Sequence, residues 1–477
     1  MNSYSLIVIG AGAGGLVVAI GAAKAGKKVL LIEQGRYGGD CTNFGCIPSK
    51  SLIASAEIAY SLKAGKALGI DFSDFSFNAD GALERTRAII AKIRGHEEPE
   101  ALNKMGVQTL SGVASFVSPH RLEVKLKDGS IETVEGSKIV LATGSYPFIP
   151  PIEGLKEAPY LTNETIFDLN GVPKSLAILG AGPIGCELAQ AFSRLGSKVT
   201  LIESLRGVMP SEEEEVGTTL AAQFKKEEID LFTKCATNLI TYREEKFLIC
   251  IDDGGKRHDI EAENLLVSTG RRPNVTALAL DNAGVNYSEK GIQVDSYGRT
   301  SQKHIYAIGD CTGPPFFTHL AEHHGRAVLT SLLLPFKKKI LTQEVPRVTY
   351  TDPEVASIGL SEKEATEKFG LSKIACYHVS FTDLDRAICC GREEGFVRVV
   401  TKKWSSEILG ATIVAPRAGE MLQEISFAMM TKKPLRSLAK LIHPYPVYSA
   451  ALRKAADLWL TQTLLPSVKA MFGGKKR

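Results

Sequence analysis

Two thiols, Cys41 and Cys46, stand five residues apart in Gly38-Gly39-Asp40-Cys41-Thr42-Asn43-Phe44-Gly45-Cys46-Ile47-Pro48-Ser49-Lys50. At that spacing they can close a small disulfide ring. A dinucleotide fingerprint lies directly upstream, so the ring should sit against a bound cofactor. The combination reads as an electron relay from cofactor to dithiol to an outside acceptor. The competing reading is a structural bridge, which is disfavoured in a cytosolic chain, where thiols stay reduced. Pro48 suits a first helical turn, and the spacing predicts a helix from Ser49 to about Ala64. Its dipole would lower a nearby thiol pKa and favour a reactive thiolate.

The elements that must position this pair recur twice. Leu6-Ile7-Val8-Ile9 enters Gly10-Ala11-Gly12-Ala13-Gly14-Gly15; a helix-compatible stretch runs to Ala25, and Lys28-Val29-Leu30-Leu31-Ile32-Glu33 follows. The second copy is Leu176-Ala177-Ile178-Leu179, then Gly180-Ala181-Gly182-Pro183-Ile184-Gly185, a helix pattern to Leu195, and Val199-Thr200-Leu201-Ile202-Glu203. In such a turn the first glycine allows the tight bend, the second lets backbone approach a pyrophosphate, and the third lets helix pack on strand. The helix N-terminus offers free N–H groups to the phosphates. Glu33 and Glu203 can accept hydrogen bonds from ribose hydroxyls. Each unit has an echo downstream, Ile139-Val140-Leu141-Ala142-Thr143-Gly144 and Leu265-Leu266-Val267-Ser268-Thr269-Gly270. A single fingerprint is weak evidence; two with matched strands, helices and acids are strong.

The bulk properties narrow the class. A chain of 477 residues holds about three domains at ~150 residues each. The net charge of +4, from 57 basic and 53 acidic side chains, argues for no nucleic acid partner. The nine cysteines have no regular spacing, so they are not a secreted disulfide framework. No apolar run reaches the ~20 residues of a membrane helix, and the first residues show no signal peptide. The expectation is a cytoplasmic α/β protein with no membrane span.

With both fingerprints and Cys41-x4-Cys46-x-Pro48-Ser49-Lys50 in place, the chain resembles the pyridine nucleotide-disulfide oxidoreductases over roughly residues 4 to 460. The resemblance implies two Rossmann-like domains, for FAD and NAD(P), and a C-terminal α+β dimerisation domain. The implied boundaries are 1–150 for FAD, with a helical insertion at 51–104; 151–276 for NAD(P); 277–344 for the return to the FAD domain; 345–465 for dimerisation; and 466–477 for a basic tail. FAD would be held by Gly10, Gly12, Gly14, Gly15, Glu33, Lys50, Ala114, Thr143, Gly144 and Asp310, the last in Ile305-Tyr306-Ala307-Ile308-Gly309-Asp310. The nicotinamide cofactor would be held by Gly180, Gly182, Gly185, Glu203 and Gly270. Glu203 favours NADH, because a carboxylate repels a 2′-phosphate, while Arg206 is close enough to leave NADPH open. By the same resemblance Cys46 lies over the flavin, Cys41 faces the substrate, Lys50 pairs with Glu187, and the chain forms a homodimer.

The acceptor end departs from part of the family. Disulfide-reducing members carry a histidine followed five residues later by a glutamate. Aligned on Pro446, Tyr445 takes the histidine's place and Ala450 the glutamate's; His443 is two positions off, without a carboxylate. Tyr445 and Phe381-Thr382-Asp383-Leu384-Asp385-Arg386 resemble the mercuric-reductase-like branch, although its vicinal cysteine pair at the extreme C-terminus and its N-terminal metal-binding domain have no counterpart. Cys389 and Cys390 are a vicinal pair elsewhere, candidates for a soft metal or two small buried hydrophobes. His323 and His324 fit the flavin domain better than a metal. His96, on the insertion, is a candidate replacement acid or a solvated helix end. The expected acceptor is a soft metal ion, a quinone-like molecule or an unusual disulfide; the alternatives are a dihydrolipoyl dehydrogenase-like enzyme and a slow redox sensor.

Overall fold

Strand Leu6–Ile9 is buried along its whole length, which explains its unbroken apolar sequence: a parallel strand covered on both faces has no polar side to present. The computed structural model describes residues 2–70, 77–340 and 344–468. In it Leu6–Ile9 pairs in parallel with Val29–Glu33 on one side and Ile139–Leu141 on the other. Val29–Glu33 continues to Val107–Ser118, and Ile139–Leu141 to the edge strand Ile305–Ala307. The strand Ile305–Ala307, which leads into Gly309-Asp310, therefore rejoins the first sheet after the whole second unit has been inserted. An antiparallel meander, Val107–Ser118, Arg121–Leu126 and Ile131–Gly136, extends the far side.

The second unit repeats the plan in four parallel strands, ordered Asp230–Thr233, Lys198–Glu203, Ser175–Leu179 and Asn264–Val267. Its fingerprint helix is Pro183–Arg194, against Ala13–Lys24 in the first unit. From residue 345 on, the glycine fingerprints give way to a five-stranded antiparallel sheet backed by helix Ala418–Met430. The insertion is helical, with Cys46–Ala64, Asp80–Arg94 and Pro99–Lys104. The basic tail lies outside the described residues from position 469 on.

One boundary differs from expectation. The helix expected from Ser49 begins at Cys46, after Gly45 as N-cap. Pro48 is still within the first turn, where its missing N–H costs no intrahelical bond. The thiol of Cys46 thus belongs to the first helical residue.

Candidate active site

The two glycine turns are built alike. Gly10 and Gly180 have φ of 104° and 100°, and a Cβ on either would strike a backbone carbonyl, Ala142 O at 2.3 Å or Ser268 O at 2.6 Å. A Cβ on Gly15 or Gly185 would lie 1.9 Å from the carbonyl of Gly10 or Gly180, so helix and turn could not close. The middle glycines are different: a Cβ on Gly12 would meet only Gly39 Cα at 3.9 Å, and one on Gly182 would meet nothing within 4 Å. What glycine keeps open there is space for a ligand beside free N–H groups, a cradle that suits a dinucleotide phosphate. Glu33 Oε2 accepts from Ala11 N at 2.7 Å, and Glu203 Oε2 accepts from Ala181 N at 2.7 Å. Each acid braces its own turn.

Both turns open onto one continuous cavity of about 1640 Å³. It exceeds the ~300–1,000 Å³ of a pocket for one small ligand. Glu33, Ala114, Thr143, Gly144 and Asp310 line it from the first unit, and Glu203 and Gly270 from the second. Cys41, Cys46, Lys50 and Glu187 line the stretch between. Gly15 and Gly185 lie behind the wall, where they pack the turns.

Cys41 and Cys46 are free thiols that hydrogen-bond each other, and Cys46 Sγ is 3.5 Å from Thr318 Oγ1. Within the pair Cys46 takes the charge: the hydrogen bond from Cys41, that from Thr318 and the nearby Lys50 lower its pKa. Cys41 keeps its proton, raised by its bond to Cys46, by burial and by Asp40. Since the helix begins at Cys46, its N-terminus also favours that thiolate. Lys50 Nζ is 2.7 Å from Glu187 Oε2, and it lies over the ring of Tyr350 at 4.4 Å. The second Glu187 oxygen accepts from Tyr350 N at 2.8 Å. A carboxylate of the second unit and a lysine of the first thus meet beside the thiols.

Tyr445 does not line its own chain's cavity. It is 80% exposed, and its hydroxyl donates to Asp385 Oδ2 at 3.1 Å. That bond holds its pKa above the ordinary phenol value. His443 does have a carboxylate, which corrects the expectation: Glu424 Oε2, from helix Ala418–Met430, is 3.2 Å from His443 Nε2. The offset of nineteen residues hid it from a search for the close spacing. Cys389 is exposed and closes the short helix Asp385–Cys389, while Cys390 hydrogen-bonds Tyr448. Among the described residues no group of three metal-ligating side chains forms. His96 is exposed, and neither it nor His323 and His324 lines the cavity. Sequence reasoning passed over Thr318 at the start of helix Thr318–Leu333, Tyr350, and Arg271 next to Gly270. A polar residue opening a helix just after Gly309-Asp310, and a cation just after the echo strand, were the available signals.

The family description pyridine nucleotide-disulphide oxidoreductase matches residues 4–325, and the dimerisation domain of that family matches residues 345–456. A mercuric reductase of Streptomyces lividans is 33% identical over 459 residues, 96% of each chain. Dihydrolipoyl dehydrogenase 3 of Haloarcula marismortui is 33% identical over 464 residues, again 96% of each. Among solved structures, the Cu(II) complex of the HOCl-induced flavoprotein disulfide reductase RclA from Escherichia coli superposes with a TM-score of 0.84. It is 27% identical, and the match covers 96% of this chain and 100% of that one.

Proposed function

Because this chain belongs to the pyridine nucleotide-disulphide oxidoreductases and is a flavin-dependent enzyme of that family, we propose that it passes electrons from NADH through Cys41 and Cys46 to a soft metal ion held by thiols. The observation that carries the reading is the dithiol on the wall of a cavity shared by both glycine turns. The family contains FAD and uses NAD(P)H; bound FAD supplies the hydride acceptor and the two-electron donor to the disulfide. Gly12, Gly14, Glu33, Ala114, Thr143, Gly144 and Asp310 would hold it, with Gly10 and Gly15 shaping the turn. Gly182, Glu203 and Gly270 would hold the nicotinamide dinucleotide on a turn shaped by Gly180 and Gly185.

The chain's own residues divide the work. Cys46 carries the thiolate, stabilised by Cys41, Thr318 and its helix N-terminus. Lys50 supplies a cation oriented by Glu187. Cys41 is the thiol that exchanges with the acceptor, giving up its proton as it attacks. Glu203 is 6% exposed and already braces its turn; its charge favours NADH over NADPH.

The choice of a metal ion rests on the acceptor end. Tyr445, held protonated by Asp385, is a poor proton source at neutral pH, and a metal reduced out of two thiolates needs none. Thiolates are the ligands that soft metals prefer. The dimerisation domain and the exposure of Tyr445 suit a homodimer in which Tyr445 faces the partner's thiols.

A second reading, reduction of a disulfide substrate, is favoured by one observation: His443 paired with Glu424. The test is NADH oxidation with Hg(II) in excess thiol, with lipoamide and glutathione disulfide in parallel. Mercury-dependent turnover that vanishes in Cys41→Ser supports the metal reading. Lipoamide turnover that falls in His443→Gln replaces it with the second.

A further inference from the structure

Asp40 stands immediately before Cys41, and its carboxylate faces a cation from the second unit. Arg271 Nη2 donates to Asp40 Oδ1 at 3.0 Å, and the Arg271 side chain is only 12% exposed. The same guanidinium donates to Ser145 Oγ at 2.8 Å, to the Ser145 carbonyl at 3.0 Å and to Asn163 Oδ1 at 3.4 Å. Ser145 Oγ in turn donates to Asp310 Oδ2 at 2.6 Å. Asn163 Nδ2 completes the ring, donating to Asp40 Oδ1 at 3.0 Å and to the Phe44 carbonyl, inside the dithiol loop, at 3.4 Å.

Charge makes this more than a brace. Two carboxylates, Asp40 and Asp310, share one guanidinium, and Glu164 is a third within its field. A carboxylate beside a thiol opposes ionisation by like-charge repulsion, and Asp40 acts on Cys41 in that sense. Lys50 is matched by Glu187 at 2.7 Å, so it has little charge left to offset Asp40. Arg271 has the position and the fork geometry to do so.

Resting on the dithiol reading above, we propose that Arg271 is a positioning residue for the redox pair. It neutralises Asp40 and ties the dithiol loop, through Ser145, to Asp310. The thiolate then forms beside a charge-balanced wall instead of an uncompensated carboxylate. The groups facing the pair are Asp40, Lys50, Glu187, Thr318 and Tyr350, with Glu164 and Asp310 behind Asp40.

The test is the pH dependence of iodoacetamide alkylation at Cys41 and Cys46 in the reduced protein, mapped by mass spectrometry. It reads thiol ionisation directly and needs no turnover. Arg271→Gln should raise the midpoint by roughly one unit, a tenfold change in the thiol's ionisation constant. Arg271→Lys, which keeps the charge but not the fork, should shift the midpoint less than Arg271→Gln, and Asp40→Asn with Arg271→Gln should return towards the parent. Asp40→Asn alone leaves the guanidinium uncompensated and should lower the midpoint, a readout that survives if Arg271→Gln fails to fold. An unmoved midpoint in Asp40→Asn, or an Arg271→Gln shift unchanged in the double variant, overturns the proposal. Failure of the dithiol reading looks different: the parent's flavin would be reduced by NADH without new alkylatable thiols at 41 and 46, whatever the midpoints.

Discussion

The two nucleotide-binding units are copies down to single hydrogen bonds, yet they do different work. Gly10 N donates to Ile32 O and Gly180 N to Ile202 O, both at 2.8 Å. Ala142 N donates to Ile9 O and Ser268 N to Leu179 O, again both at 2.8 Å. The differences lie in what is hung on the frame. Seven residues after its first glycine the first unit has Val17 and the second has Glu187. After its acid the first unit runs into Gly38–Cys46 and the thiols. The second runs into Glu212, Glu213 and Glu215, which pair with Arg347 and Arg398 of the C-terminal sheet. On the proposed roles, a shared frame fixes where a dinucleotide would lie, and a few substituted positions decide whether the unit carries the thiols or the charged partners beside them.

The contrast can be broken from its strongest point down. Cys41→Ser should lower dithiol-dependent turnover by on the order of 10³-fold or more, as loss of a nucleophile does, while bound FAD, read by absorbance, is retained. Unchanged turnover would mean that the acceptor takes its electrons elsewhere. Next come the matched glycines. Gly12→Val should lower FAD content, and Gly182→Val should leave FAD bound but raise the KM for NADH on the order of tenfold, about one charged hydrogen bond's worth. An added Cβ meets nothing closer than 3.9 Å at either site, so both variants should fold. Identical effects on FAD would erase the division between the units.

Glu187→Gln should cost about 1–3 kcal/mol by denaturant titration. That is less than the ~3–5 kcal/mol of a fully buried pair, because the Lys50 side chain is 33% exposed and solvent screens it. The smallest effect is expected at Glu203→Ala, a several-fold rise in KM for NADH exceeding that for NADPH, worth about 1 kcal/mol; the reverse order would overturn the cofactor preference. The thiols add a pH signature. Because the Cys46 pKa is lowered in the fold, its thiolate contributes stability that is fully present above the ordinary thiol value. That stability is lost as pH falls through the lowered one. Alkylation of Cys46 should therefore persist at pH values where an ordinary thiol is protonated.

Much of this was legible because it is local. The fingerprints, the acids 23 residues on and the Cys-x4-Cys loop are short motifs whose geometry follows from backbone chemistry. The onset of the dithiol helix was misplaced by three residues because Pro48 sits within its first turn rather than at its start. His443–Glu424 and Asp40–Arg271 were not legible, since each joins side chains that only the tertiary fold brings together. No periodicity marks a pair separated by 231 residues. Tyr445 could be aligned but not placed, because its exposed phenol finds its setting outside its own chain's cavity.

The dithiol loop and the helix that follows it are each gripped by an ion pair, Asp40–Arg271 and Lys50–Glu187, whose far halves both come from the second unit. This limits modularity. A chimera that exchanged residues 151–276 for another nucleotide-binding unit could keep every glycine of the turn and bind its dinucleotide well. Without a carboxylate at position 187 and a cation at position 271, it would still leave the thiols of the recipient in a changed field. On the proposed roles of Glu203, Glu187 and Arg271, cofactor preference and thiol reactivity would be inherited together, and a design that sets out to alter one would have to carry the other along.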